Sequence, residues 1–228
     1  MLQPETVSPE GARLRDAWQA ESLPEKQRLL VDQQLRQFRA GNAVDVFDVL
    51  VKALTSTPDI AKMRSVLEIG CSSGFYSEVL EIAGLPLCYC GCDYAPAFIK
   101  MARARYPNVR FDVADACSLT YSDAEFDIVI SGCCLLHIPE YALAVAETAR
   151  VAKRYAIFHR TPVLLEQPTR HFKKRAYGVE TIEIHFNETE FIQLLTKHGL
   201  RQLNTITYSE DIVDGIRSAG KTYVCEKL

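Results

Sequence analysis

Apolar residues first recur at helical spacing. Between about residues 25 and 40, Leu29, Leu30, Leu35 and Phe38 form a partial stripe, and Gly41-Asn42 interrupts it. A second helix is expected over 44–54, where Val46, Phe47, Leu50, Val51 and Leu54 are apolar, and Thr57-Pro58 closes that unit. The two dozen residues before the first helix are polar, with scattered Pro and Gly, and read as irregular. From Ser65 onward the pattern changes. Short apolar runs at 66–69, 87–92, 109–113, 126–131 and 155–159 read as strands. Between them lie helical stretches, the first expected to be capped by Ser72 or Ser73 and stopped by Gly84. A long insert of about 160–186 follows. Asn187 and Glu190 then mark a helix start, and two strands are expected at 203–208 and 222–227.

Strands alternating with helices predict a doubly wound, Rossmann-like α/β fold. The expectation is a seven-stranded, mostly parallel sheet in a domain over residues 61–228, preceded by a helical extension over 1–60. That extension is a candidate lid or interface. Composition adds limits. The chain has 228 residues, 48% of them apolar, enough for a sizeable core. Its net charge of −3, spread along the chain, argues against nucleic acid as the main partner. No apolar run is long enough to span a bilayer, and no signal peptide is visible. A cytoplasmic protein with reduced thiols, a monomer or homodimer, is therefore expected. Cys88, Cys90 and Cys92 alternate along one strand. They lack the paired C-x-x-C knuckles of a zinc site, so no metal is expected and the thiols read as packed.

Candidate chemistry gathers at strand ends, where open α/β sheets bind ligands. Gly70 follows the first strand and Gly74 opens the first helix, so the backbone turns tightly there and a ligand meets no Cβ. Asp93 ends the second strand, 23 residues after Gly70, where a carboxylate can accept from both hydroxyls of a ribose. Asp115, with Ala116, follows the third strand and can accept from an adenine amino group. Each aspartate alone has a plain reading as a turn or cap residue; three features at successive strand ends point to a ligand.

The segment Leu67-Glu68-Ile69-Gly70-Cys71-Ser72-Ser73-Gly74 resembles the first motif of class I S-adenosylmethionine-dependent methyltransferases of the small-molecule type. The resemblance covers roughly residues 65–228. It implies S-adenosylmethionine as cofactor, with Glu68 orienting the loop and the methionine end, Asp93 on the ribose, Tyr94 packed on the adenine, and Asp115 and Ala116 at its edge. It further implies that Ser131, Gly132 and Cys133 present backbone to the methionine portion, and that Leu135-Leu136-His137-Ile138 matches a histidine-containing run of that subfamily. The departure is Ser72, where many relatives carry glycine. A nicotinamide dehydrogenase is the rival on this fold, but the G-x-G-x-x-G spacing is absent.

Methyl transfer asks mainly for alignment of donor and acceptor, and for a base only where the acceptor must lose a proton. His137, after the fourth strand, and His159, ending the fifth, are the candidate catalytic residues. Arg160, Tyr177 and His185 are candidate acceptor contacts, joined by Trp18 and Phe38 from the extension. A basic cluster, Arg170, His171, Lys173, Lys174 and Arg175, reads either as a solvated face or as a lid over an acidic acceptor. The expected function is methyl transfer to oxygen or nitrogen of a small molecule, acidic ones included. The alternative is a cofactor-binding domain without turnover that serves as a partner or regulatory module.

Overall fold

The computed structural model describes residues 9–213 and 215–228. Three helices open the chain: α1 (Pro9–Asp16), α2 (Leu23–Arg39) and α3 (Asp45–Thr55). Then come β1 (Ser65–Ile69), α4 (Tyr76–Ile82), β2 (Cys88–Asp93), α5 (Pro96–Arg105), β3 (Arg110–Val113) and β4 (Phe126–Gly132). The chain continues through α6 (Tyr141–Val151), β5 (Ala152–Leu164), β6 (Arg170–Ala176), β7 (Val179–Asn187), α7 (Glu188–Lys197), β8 (Leu200–Val213) and β9 (Ile216–Lys227). Among the described residues no helix is long and apolar enough to cross a membrane.

The five strands β3-β2-β1-β4-β5 lie side by side and parallel. Beyond β5, β9 pairs antiparallel with it, Ile157 opposite Val224, and β8 pairs with β9. The chain runs outward through β1, β2 and β3, then returns to place β4 on the other side of β1. That reversal leaves a crevice above the ends of β1 and β4. Register puts those ends level: Ile69 faces Cys92 on β2 and Ser131 on β4, and Asp93 faces Val113.

Successive strand residues point to opposite faces, so each strand feeds two cores. Val66, Ile128, Ile130 and Ile157 pack under α2, α3, α4 and α5; Leu67, Ile69, Val129 and Phe158 pack under α6 and α7. Phe47, Leu50 and Leu54 of α3 have no exposed surface. Burial contributes roughly 1.5–3 kcal/mol per such side chain, which fastens the N-terminal helices to the sheet.

Several elements differ from the sequence expectation. The opening is helical from Pro9, with a 3-10 turn at Ala17–Gln19; residues 1–8 lie outside the described residues. Only Gly11 and Leu14 of α1 are buried, too few to show as a stripe, and long-range ion pairs from Arg13 and Arg15 help hold it. The sheet has nine strands instead of seven because the insert is itself a hairpin, β6 and β7. Its two-residue turn is Tyr177-Gly178, both at positive φ (50° and 90°), as a type I′ turn requires. α4 begins at Tyr76 after Phe75, with no side-chain cap from Ser72 or Ser73. Asn187 does cap α7, accepting from the Glu190 amide at 2.9 Å. Cys90 and Cys92 are buried and Cys88 is exposed; burial pushes the Cys90 thiol up to about 11, keeping it protonated.

Candidate active site

The loop after β1 is tied to β2 by its backbone. The amides of Gly70 and Cys71 donate to the Cys92 carbonyl (2.8 and 2.9 Å), and the Ser72 amide donates to Asp93 Oδ2 at 2.9 Å. Gly70 and Gly74 have φ of +75° and +73°. Ser72 adopts the left-handed region too, with φ of 46°. Glycine is the undemanding residue there, and serine costs about 1–2 kcal/mol. The loop therefore keeps a glycine-like path at the position where the resemblance departs, with Asp93 supplying the compensating hydrogen bond.

Asp93 is shared between loop and cavity. Its Oδ1 accepts from the Ala95 amide at 2.9 Å while Oδ2 holds Ser72. Burial pushes its carboxyl up to about 6, against the pull of those backbone amides. Glu68 is buried and accepts a short hydrogen bond from the Tyr89 hydroxyl. Burial raises its pKa well above the usual carboxylate range. Gly132 passes directly over it: a Cβ there would lie 2.5 Å from Glu68 Oε1. Asp115 accepts from the Cys117 amide at 2.9 Å and pairs with Arg15.

Arg15 and Trp18 roof the cavity. The Arg15 guanidinium also reaches Glu140 (3.4 Å) and lies 5.4 Å from the Tyr94 ring centroid, while the Tyr94 hydroxyl donates to the Arg15 carbonyl. A carboxylate has about four lone-pair sites. Asp115 can therefore keep Arg15 and Cys117 and still accept from a ligand. Replacing Arg15 by methionine is expected to loosen α1 over the cavity and to weaken binding of S-adenosylhomocysteine, the spent form of the cofactor that the resemblance implies, by about tenfold, the scale of one charge-assisted hydrogen bond. The loss should appear in the dissociation rate, measured by stopped-flow; an unchanged rate would show that Arg15 holds no roof.

The cavity has a volume of about 470 Å³. Of the residues expected at the cofactor, Glu68, Gly70, Asp93, Tyr94, Asp115, Ala116, Gly132 and Cys133 line it. Cys71, Gly74 and Ser131 stand behind the wall. Gly74 makes room for Phe111, which a Cβ would meet at 2.5 Å, and Cys71 packs on Gly91. Three buried side-chain polar atoms among the described residues lack a hydrogen-bond partner: Ser72 Oγ, Trp18 Nε1 and Gln27 Oε1. All three residues line this cavity. An unmet buried donor or acceptor costs about 1–3 kcal/mol.

The histidines separate. His137 lines the cavity beside Trp18, their ring centroids 4.7 Å apart. Its Nδ1 lies 2.6 Å from the Ile182 carbonyl. A carbonyl only accepts, so Nδ1 carries the proton and Nε2 keeps a lone pair in the neutral ring. Burial lowers its pKa below 6.5, which keeps it neutral at pH 7. His159 is instead buried in the core with both nitrogens engaged, by Thr222 Oγ1 and the Val46 carbonyl, each at 3.1 Å. It ties α3 to the sheet, and burial holds it down to about 3. His185 packs on Phe172 and reaches Glu183 (2.9 Å), off the cavity wall. Phe38 packs on Phe47 and stays off it as well. Arg160, Tyr177 and Trp18 line the cavity. Of the basic cluster only Lys174 does, paired with Glu183; the rest is exposed. Arg15, Gln27, Tyr76 and Tyr208 also line it, and no motif marked them.

Residues 67–159 match the family described as "Methyltransferase domain". That segment is thus similar to methyltransferase domains. A protein of Mycolicibacterium smegmatis named as an S-adenosylmethionine-dependent methyltransferase is 33% identical over 95 residues, 42% of this chain and 36% of the relative. Trans-aconitate 2-methyltransferase of Methylobacterium nodulans is 28% identical over 120 residues, 52% of this chain and 46% of the relative. The chain thus spans between a third and a half of the length of these relatives. In structure, the methyltransferase fold is shared with the 1,6-didemethyltoxoflavin-N1-methyltransferase of Burkholderia thailandensis, solved with 1,6-didemethyltoxoflavin and S-adenosylhomocysteine. The TM-score is 0.62 at 16% identity, over 100% of this chain and 91% of that one.

Proposed function

We propose that this chain transfers the methyl group of S-adenosylmethionine to an oxygen or nitrogen of a small-molecule acceptor. One observation carries the reading: carboxylates from three successive strand ends, Glu68, Asp93 and Asp115, line one cavity with His137. The unmet Ser72 hydroxyl, in the loop that Asp93 holds, fits a polar ligand at that place.

Asp93 would hold the ribose hydroxyls, and Asp115 with Ala116 the adenine edge against Tyr94. Glu68 would face the methionine ammonium, with backbone at Gly70, Gly132 and Cys133 completing that end. Cys71, Gly74 and Ser131 shape the loops from behind. When bound, the cofactor supplies a methyl group on a positively charged sulfur, a good leaving group. His137 Nε2 takes the proton from an acceptor O–H or N–H. Trp18, Tyr177 and Arg160 form the acceptor wall. His159, with both nitrogens engaged, is assigned no catalytic part, and His185 no substrate contact. One relative is named for a small acceptor, trans-aconitate, and one protein of the same fold for 1,6-didemethyltoxoflavin, which supports a small molecule here. An acidic acceptor suits the cation Arg160.

Calorimetric titration tests the reading. Saturable binding of S-adenosylhomocysteine is expected, with none for a nicotinamide dinucleotide at comparable concentrations. Binding of the dinucleotide alone would overturn the proposal.

A further inference from the structure

Three arginine and lysine side chains line the cavity: Arg15, Lys174 and Arg160. Arg15 is paired with Asp115 and Glu140, and Lys174 with Glu183. Arg160 has no carboxylate within ion-pair distance among the described residues. The nearby acids are engaged elsewhere: Glu68 by Tyr89, Glu183 by Lys174 and His185.

The chain departs from regular strand geometry twice to place this cation. β5 bulges between Phe158 and Thr161, and Arg160, inside the bulge, has φ of 57°. Bulges re-aim side chains at such sites. The guanidinium stands over the Tyr208 ring, 4.4 Å from its centroid. Tyr208 itself lies where β8 shifts register against β9, between Thr207 and Ser209. Gly220 makes room for that ring, since a Cβ there would lie 2.3 Å from Tyr208 Cζ. An aromatic face beneath a guanidinium covers one side of it and leaves the planar edge of N–H donors for an anion.

Gln34, Val46 and Arg160 also line a second cavity of about 390 Å³, between the end of α2 and the start of α3. Arg160 thus borders both cavities. Asp45 lines the second cavity as well. The main cavity is rich in aromatic side chains, among them Trp18, Phe75, Tyr76 and Tyr177. We propose that the acceptor is an aromatic carboxylic acid, its carboxylate held by Arg160 on Tyr208 and its ring among these side chains, reaching the site between α2 and α3. This rests on the methyl-transfer reading for the identity of the site. It adds the class of acceptor and the residue that selects it.

Trp18 is the sole tryptophan, so its fluorescence reports on the cavity. Protein saturated with S-adenosylhomocysteine is titrated with benzoate and with neutral benzamide. Benzoate is expected to bind at least about tenfold tighter, the scale of a charge-assisted pair. Arg160→Met is expected to bring benzoate down to the level of benzamide, with unchanged affinity for S-adenosylhomocysteine and an unchanged melting temperature. Equal affinities in the unaltered protein would overturn the proposal without any variant. So would a preference that survives Arg160→Met. A loss of S-adenosylhomocysteine affinity in Arg160→Met would assign the arginine to the cofactor's own carboxylate and overturn it too. Failure of S-adenosylhomocysteine to bind the unaltered protein would overturn the methyl-transfer reading, and this proposal with it.

Discussion

Gly70→Ala is expected to cost about 2–4 kcal/mol of stability and to weaken S-adenosylhomocysteine binding by about a hundredfold or more. Two separate effects add. The φ of +75° disfavours any side chain, by about 1 kcal/mol for alanine. The new Cβ would also lie 2.3 Å from Cys134 Cβ and 2.7 Å from its Sγ. Cys134 cannot swing aside cheaply, because its Sγ is held near the Ile69 carbonyl (3.2 Å) and Ser131 Oγ (3.4 Å). The loops after β1 and β4 must therefore separate, and both are walls of the cofactor end. Gly41→Ala is the control. Its φ is +79°, but nothing lies within 4 Å of the added carbon, so only the backbone effect applies. Urea denaturation and calorimetric titration of both variants separate the two contributions. Unaltered cofactor affinity in Gly70→Ala would show that the two loops need not touch for binding.

His137→Ala is expected to lower kcat by about 10²-fold or more, the usual scale for removal of a general base. The pH profile carries the more specific expectation. The working form is the neutral ring, and burial places its pKa below 6.5, so kcat should stay level through neutrality and fall only on the acid side of 6.5. Asp93 titrates in a neighbouring window, near 6. Its carboxylate is needed to accept ribose hydroxyls, so its protonation should raise KM for S-adenosylmethionine as pH falls through about 6. The two groups thus separate by parameter, kcat for His137 and cofactor KM for Asp93. His137→Gln should lose the acid limb in kcat and keep the one in cofactor KM. An acid limb in kcat that persists in His137→Gln would remove this histidine as the base.

Much of the sheet was legible because its signals are local. Runs such as Phe126–Gly132, with Ile128, Val129 and Ile130 consecutive and buried, suit a strand covered on both faces. Gly70 and Gly74 mark a tight turn by their own chemistry, and Glu68, Asp93 and Asp115 stand at strand ends that a parallel sheet must bring to one edge. The histidines show where such reading stops. His137 and His159 both come after short apolar runs and carry the same ring, yet one lines the cavity while the other lies inside β5 and ties α3 to β9. Which nitrogen is free depends on carbonyls and hydroxyls 45, 63 and 113 residues away.

By itself, then, the sequence determined the alternation of strands and helices from β1 to β5, the glycine turn, and the three acids at one edge, since each follows from neighbours within a few positions. The tertiary structure decided the rest. It turned the insert into a hairpin, closed α1 over the site through Arg15, and set Arg160 on Tyr208 across two bulges and a glycine. Those arrangements depend on contacts between segments far apart in the chain, and on backbone departures with no local pattern to announce them.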